Sequence, residues 1–282
     1  MEILCQYPPT FDKDVNLIAG ISLGNKTFKD VENMVNIINF LRLSWIEKGK
    51  TSTIPTLLLA DSINWINIRY RIIPKIRKTD NCCNKGNEEV KKNKSIKQAL
   101  KQGRIIYEKY ILPAYENLKS RFEDFPLLII NWDDMLSQNK DKYNRYYEIL
   151  KQKFLTDTEF KQQILNLIAP IISSNEDDYE GEEGVQVKDN LCEYVLQETA
   201  LSGGGMSYNG IYYNGIVYPV EYPCTEMADI FKLFVDFKPD TSTNIVCYGI
   251  GLALGSNGGN KKRKSRKNKK KKRRKTQRLY TF

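Results

Sequence analysis

Ser22 stands between two glycines in Gly20-Ile21-Ser22-Leu23-Gly24, with Asn25 following. The match to G-x-S-x-G is literal, and that pattern lifts a serine hydroxyl above a sheet edge in serine hydrolases. Hydrolases of that kind need an imidazole to take the serine proton. The chain has no histidine. The same zero excludes Cys-His proteases, H-E-x-x-H metal sites and Cys₂His₂ fingers. Ser22 therefore acts without an imidazole, either satisfying backbone groups in its turn or serving as a nucleophile or ligand clamp. The flanking glycines and Asn25 favour the second reading.

A hydroxyl in that position needs a strand before it and a helix after it. Val15 to Ile21 is apolar enough for a buried strand, and apolar residues recur at helical spacing from Phe28 to Trp45. Thr27 is the expected N-cap, with Asp30 three residues on. Ile54 to Ala60 is a second apolar strand ending at Asp61, so the first two strands should lie parallel with a right-handed crossover. A helix is expected from Ser62 to Ile73, and a loop over Asn81 to Gly86.

Glu88 to Arg121 reads as a long helix bent near Pro113. Lys94, Lys97, Lys101 and Arg104 share one face of it, Ile96, Leu100, Gly103 and Tyr107 the opposite, core-packed face. With Lys91 and Lys92 the basic residues form a stripe that is either a solvated surface or a phosphate contact.

A third strand is expected at Pro126 to Asn131, helix from Lys142 to Ile172, and an acidic loop at Ser173 to Gly184. Convergent metal-ligand geometry is not indicated in that loop, and no metal site is expected. Asp189 to Leu201 is a helix carrying Tyr194 and Glu198 four residues apart, hence on one face. Taken alone, Tyr194 would be an aromatic packing on the sheet and Glu198 a solvated helix residue. Ser202 to Gly205 breaks the helix. A strand (Ile216 to Val220), a helix (Cys224 to Phe237) and a last strand (Asn244 to Tyr248) complete an α/β pattern. Gly249-Ile250-Gly251 leads into polylysine rather than a helix and is no dinucleotide fingerprint.

The 282 residues carry a net charge of +10, but 14 Lys and Arg fall within 261–278, with no acid after 260. The rest holds 30 basic against 34 acidic residues. The expected division is a catalytic domain over 1–254 and a disordered tail over 255–282. The six cysteines show no C-x-x-C spacing, so neither zinc nor a disulfide framework is indicated. The first residues carry acids and prolines where a signal peptide would carry a basic start and an apolar run, so none is expected. Ile245 to Leu254 is about half of the ~20 residues that a membrane span needs. A soluble, cytoplasmic, monomeric protein is expected, with nuclear import through the tail if the source is eukaryotic.

Three fragments in order, Gly20-Ile21-Ser22-Leu23-Gly24-Asn25, Tyr194-Val195-Leu196-Gln197-Glu198 and Tyr218-Pro219, resemble the tRNA-dependent cyclodipeptide synthases. Ala60-Asp61, Asn131 to Asp134 and Asp157 to Phe160 also fit, and the similarity spans roughly residues 12 to 250. The resemblance implies a Rossmann-like parallel sheet flanked by helices, similar to the catalytic domain of class I tyrosyl- and tryptophanyl-tRNA synthetases. It implies two aminoacyl-tRNAs as substrates, a cyclic dipeptide as product, and no cofactor, ATP or metal.

By carry-over, Ser22 becomes acylated, Tyr194 and Glu198 hold the amine of the acyl group, and Tyr218 relays a proton. Ile18, Gly20, Asn25, Ala60, Leu201, Ile216 and Pro219 would contact substrate, and the apolar members point to at least one uncharged, hydrophobic amino acid. Lys91, Lys92, Lys94, Lys97, Lys101 and Arg104 would contact tRNA. Asn25 suits one subgroup of the family and Tyr218-Pro219 the other. The competing classes are a non-catalytic RNA-binding protein with a synthetase-like fold, and an aminoacyl-tRNA hydrolase or acyltransferase. The tail would add nonspecific RNA contact, fold onto the acidic loop or act as a targeting signal.

Overall fold

The computed structural model describes residues 15–24, 26–50, 53–69, 87–173, 182–203 and 205–217. Four strands form one sheet: β1 (Leu17–Ser22), β2 (Thr56–Ala60), β3 (Leu128–Asn131) and, last in the described chain, Gly215–Val217. The hairpin strands β4 (Met206–Tyr208) and β5 (Ile211–Tyr213) precede that last strand, which is β6. The sheet order is β3-β2-β1-β6, with every pair parallel. Buried on both faces, β1 and β2 are almost wholly apolar, as strands of a doubly covered parallel sheet must be.

Helices cover both faces. Leu17, Ala19, Ile21, Leu57 and Leu59 pack with Met34, Ile37, Ile38 and Leu41 of α1 (Val31–Glu47). They also meet Ile106 of α3 (Glu88–Ile106) and Ala114 and Leu118 of α4 (Leu112–Arg121). Alternation along the strand sends Ile18, Leu58, Ala60, Ile130 and Ile216 into a second core. There they meet Ile66 of α2 (Trp65–Arg69), Trp132 of α5 (Trp132–Gln138), and Tyr194 and Leu201 of α8 (Glu182–Ser202). Two more helices, α6 (Lys140–Thr156) and α7 (Thr158–Ser173), pack against α8. The architecture is a Rossmann-like α/β fold.

Several expectations shift. The cap of α1 is Asp30, not Thr27: its carboxylate accepts the Asn33 N–H at 3.0 Å, and a 3₁₀ turn occupies Lys26–Lys29 before it. An anionic cap outdoes a hydroxyl at a helix start, where the unpaired N–H groups carry positive potential. The long helix expected over 88–121 is interrupted by a π turn at Tyr107–Ile111, just ahead of Pro113. That turn absorbs the hydrogen bond that proline cannot donate.

On α3 the buried stripe is Ser95, Ala99, Gly103 and Ile106, while Leu100 and Tyr107, expected in the core, are exposed. The helix runs too close to the end of β2 for large side chains there. A Cβ on Gly103 would stand 2.7 Å from that of Asp61. The helix bearing Tyr194 begins at Glu182, inside the expected acidic loop. The helix expected over 142–172 is broken at Asp157, whose carboxylate caps α7 by accepting the Phe160 N–H at 3.0 Å. The β4–β5 hairpin was not expected. Its turn residues Asn209 and Gly210 have φ of 49° and 79°, the positive pair that a tight hairpin requires. The helix and strand expected over 224–248, the 81–86 loop and the basic tail lie outside the described residues.

Candidate functional site

Ser22 is the last residue of β1, paired with Ala60 of β2, at the C-terminal edge where ligands of parallel α/β sheets bind. It shares a face with Ile18 and Gly20, four and two residues back. Gly20 has no side chain and is partly exposed, so the strand presents an open step just before the hydroxyl.

The same face receives α8. The Tyr194 phenol lies close enough to the Ser22 side chain for the hydroxyl to influence its ionisation, and it donates to Glu198 Oε1 at 3.4 Å, one helical turn on. Tyr194 is buried and Glu198 half-buried. Burial, then the Glu198 charge, holds the phenol well above its ordinary pKa, so it keeps its proton at neutral pH. Burial pushes the Glu198 carboxyl up to about 7, against the opposing pull of the phenol hydrogen bond. The three side chains thus link a hydroxyl through a phenol to a carboxyl that exchanges its proton near neutrality. That is a proton path without an imidazole.

Ile18, Ala60, Leu201 and Ile216 gather in one apolar cluster with Tyr194, all buried. Asn25, Tyr218 and Pro219 lie outside the described residues. On α3, Lys92, Lys97, Lys101 and Arg104 are exposed and Lys91 and Lys94 half-buried. Lys92 Nζ lies 4.9 Å above the ring of Trp65, and Arg104 is bonded to Glu108 at 2.7 Å.

One residue that fixes the site carried no sequence signal. Lys142 on α6 is half-buried, and its Nζ donates to the carbonyls of Leu201 (2.6 Å), Gly203 (3.0 Å) and Gly205. The Lys142 amine satisfies carbonyls that α8 and its closing turn leave open, while desolvation lowers its pKa to about 7. Only the folded chain brings residues some 60 positions apart into that contact. Among the described residues, no group of His, Cys, Asp and Glu could hold a metal ion, and no helix is long and apolar enough to cross a membrane.

No protein-family model matches the chain, and no curated protein matches it. Among solved structures, it superposes on a CDPS from Fluoribacter dumoffii with a TM-score of 0.54 and 16% identity, covering 83% of this chain and 89% of the other. The chain shares the CDPS fold. A cyclodipeptide synthase from Bacillus thermoamylovorans matches at TM-score 0.48 and 18% identity, over 83% and 87% of the two chains. One from Streptomyces noursei matches at 0.47 and 16%, over 83% and 94%. At such identities the CDPS likeness speaks for the backbone path, and the chemistry has to be argued from the side chains.

Proposed function

We propose that the chain is a cyclodipeptide synthase acting on two aminoacyl-tRNAs. The observation that carries this reading is the convergence of Ser22, Tyr194 and Glu198 at the C-terminal edge of β1, in a chain of that fold. An aminoacyl ester is already activated, so its attack by a hydroxyl needs less help from a base than amide hydrolysis does.

In the first step Ser22 Oγ attacks the ester carbonyl of one aminoacyl-tRNA. The acyl carbon bonds to Oγ, its bond to the ribose oxygen breaks, and the tRNA leaves as the alcohol with the serine proton. The α-amine of the bound acyl group lies against the Tyr194 phenol and the Glu198 carboxylate, which orient it. That amine attacks the ester of the second aminoacyl-tRNA, releasing the second tRNA and leaving a dipeptidyl-serine. The new terminal amine then attacks the seryl ester, closes the six-membered ring and returns the hydroxyl to Ser22. Glu198, with its pKa near 7, takes and returns the amine protons, and Tyr218 supplies a second relay by the family resemblance. The apolar residues Ile18, Ala60, Leu201 and Ile216 beside Tyr194 select an uncharged, hydrophobic side chain for at least one half of the product. The basic stripe of α3 holds tRNA phosphates.

Expression in bacteria with mass spectrometry of the medium tests the reading. Cyclic dipeptides are expected from the wild-type chain and none from Ser22→Ala, which keeps tRNA binding. Free amino acids in their place would make the chain a hydrolase, and no product from either chain would leave only RNA binding.

A further inference from the structure

A cavity of 410 Å³ opens on the opposite face of the sheet from Tyr194, between β2, β3 and α3. Its walls are apolar where Leu59, Leu100, Leu127 and Ile129 meet it, and polar at Asp61, Asn131, Arg104 and Tyr107. The Asp61 carboxylate is its most constrained polar group, only 4% exposed. Asp61 Oδ1 accepts the N–H groups of Ser62 (2.8 Å) and Trp132 (3.2 Å). Oδ2 is turned towards Gly103, 3.4 Å from where a Cβ would stand there. The missing side chain at Gly103 keeps the space beside that oxygen open.

Buried carboxylates without a cation beside them call for a neutral N–H or O–H donor. Apolar walls of leucine and isoleucine, one tyrosine and a buried carboxylate acceptor suit a heterocycle carrying amine or hydroxyl donors. The cavity also continues the basic stripe: Arg104 is both the last of its cations and a wall of the space. A polyanion laid along α3 would deliver its end there. Finally, Asp61 follows Ala60, the register partner of Ser22. From strand spacing and rise, its Cα lies roughly 6 Å from that of Ser22.

We propose that this cavity is a nucleoside site, in which the Asp61 carboxylate accepts a donor of the base or ribose while Leu100 and Tyr107 flank the ring. It rests on the reading of the chain as a tRNA-dependent enzyme, whose substrates end in an adenosine bearing the ester. With that nucleoside in the cavity, the ester reaches over the rim of β2 to Ser22. The chemistry is shared by an RNA 3′ end and a free nucleotide.

Equilibrium binding separates the two sources. The probes are uncharged tRNA, the same tRNA trimmed of its terminal adenosine, and adenosine 5′-monophosphate, each with full-length protein. Trimming is expected to weaken binding to the wild type about tenfold, near 1.4 kcal/mol. Asp61→Asn, which keeps Oδ1 and converts Oδ2 to a donor, and Leu100→Trp, which fills the space from an exposed helix position, should bind both tRNAs alike. If trimming has no effect but the mononucleotide binds and both substitutions abolish it, the site stands with a free nucleotide as its ligand. Equal binding of both tRNAs with no mononucleotide binding overturns the proposal, and so does discrimination that survives Leu100→Trp. Should Asp61→Asn fail to fold, Leu100→Trp decides alone. No turnover is measured, so this site can fail while cyclic dipeptides are still made, and the reverse.

Discussion

Glu198 keeps its proton in the fold to about pH 7, whereas an exposed glutamate releases it near 4.5. Between those values the unfolded chain binds fewer protons than the folded one, so stability falls as pH rises through that window. The loss attributable to this one carboxyl is at most ~3 kcal/mol. Glu198→Gln removes it. Urea unfolding of both proteins at pH 5 and pH 8 should show the variant gaining on the wild type at the higher pH. An unchanged difference would mean that the carboxyl is not perturbed. In the mechanism proposed above, the same shift would let one residue hold an ammonium as carboxylate and still return a proton, two tasks that an ordinary glutamate could not combine at neutral pH.

At the scale of elements, the contact of α3 with β2 decides where the basic stripe sits, and Gly103 decides that contact. Gly103→Ala would gain about 1 kcal/mol of helix propensity. The added Cβ, however, meets Asp61 Cβ at 2.7 Å, and prying a packed helix from its strand costs about 1–3 kcal/mol. A net loss of up to ~2 kcal/mol in chemical denaturation is expected. Stabilisation would show that α3 lies further from β2. The same contact explains what could be read in the sequence and what could not. Strands β1 and β2 are legible because both their faces are buried and their residues are almost all apolar, and β3 because Leu128, Ile129 and Ile130 run together before Asn131. The Tyr194–Glu198 spacing placed both groups on one helix face. The core face of α3 was misjudged because apolarity suggested Leu100 and Tyr107, whereas close approach selects for smallness, at Ser95, Ala99 and Gly103. Asn209-Gly210 is the sequence of a tight hairpin turn, set between strands of only three residues each. Lys142 had none, since its partners are distant carbonyls.

The whole molecule divides its charge unevenly: the 14 basic residues of 261–278 contrast with a slightly acidic remainder. If both the stripe on α3 and the tail neutralise phosphates, RNA affinity falls steeply with salt, by a slope of about −0.7 to −0.9 per contact. Deleting 257–282 should flatten the plot of log affinity against log salt while cyclic dipeptide formation at low salt continues. An unchanged slope would remove RNA from the partners of the tail.

In the sheet, β1 is flanked by β2 on one side and by β6 on the other, a strand contributed some 200 residues later. Ser22 leaves the ribosome early, yet its phenol and acid follow only after another 170 residues have been made. If Ser22 is the nucleophile proposed above, a nascent chain therefore carries it unarmed through most of its own synthesis. On the proposed reading, a protein that draws on the very aminoacyl-tRNAs from which it is being built stays harmless to its own translation until it is nearly finished.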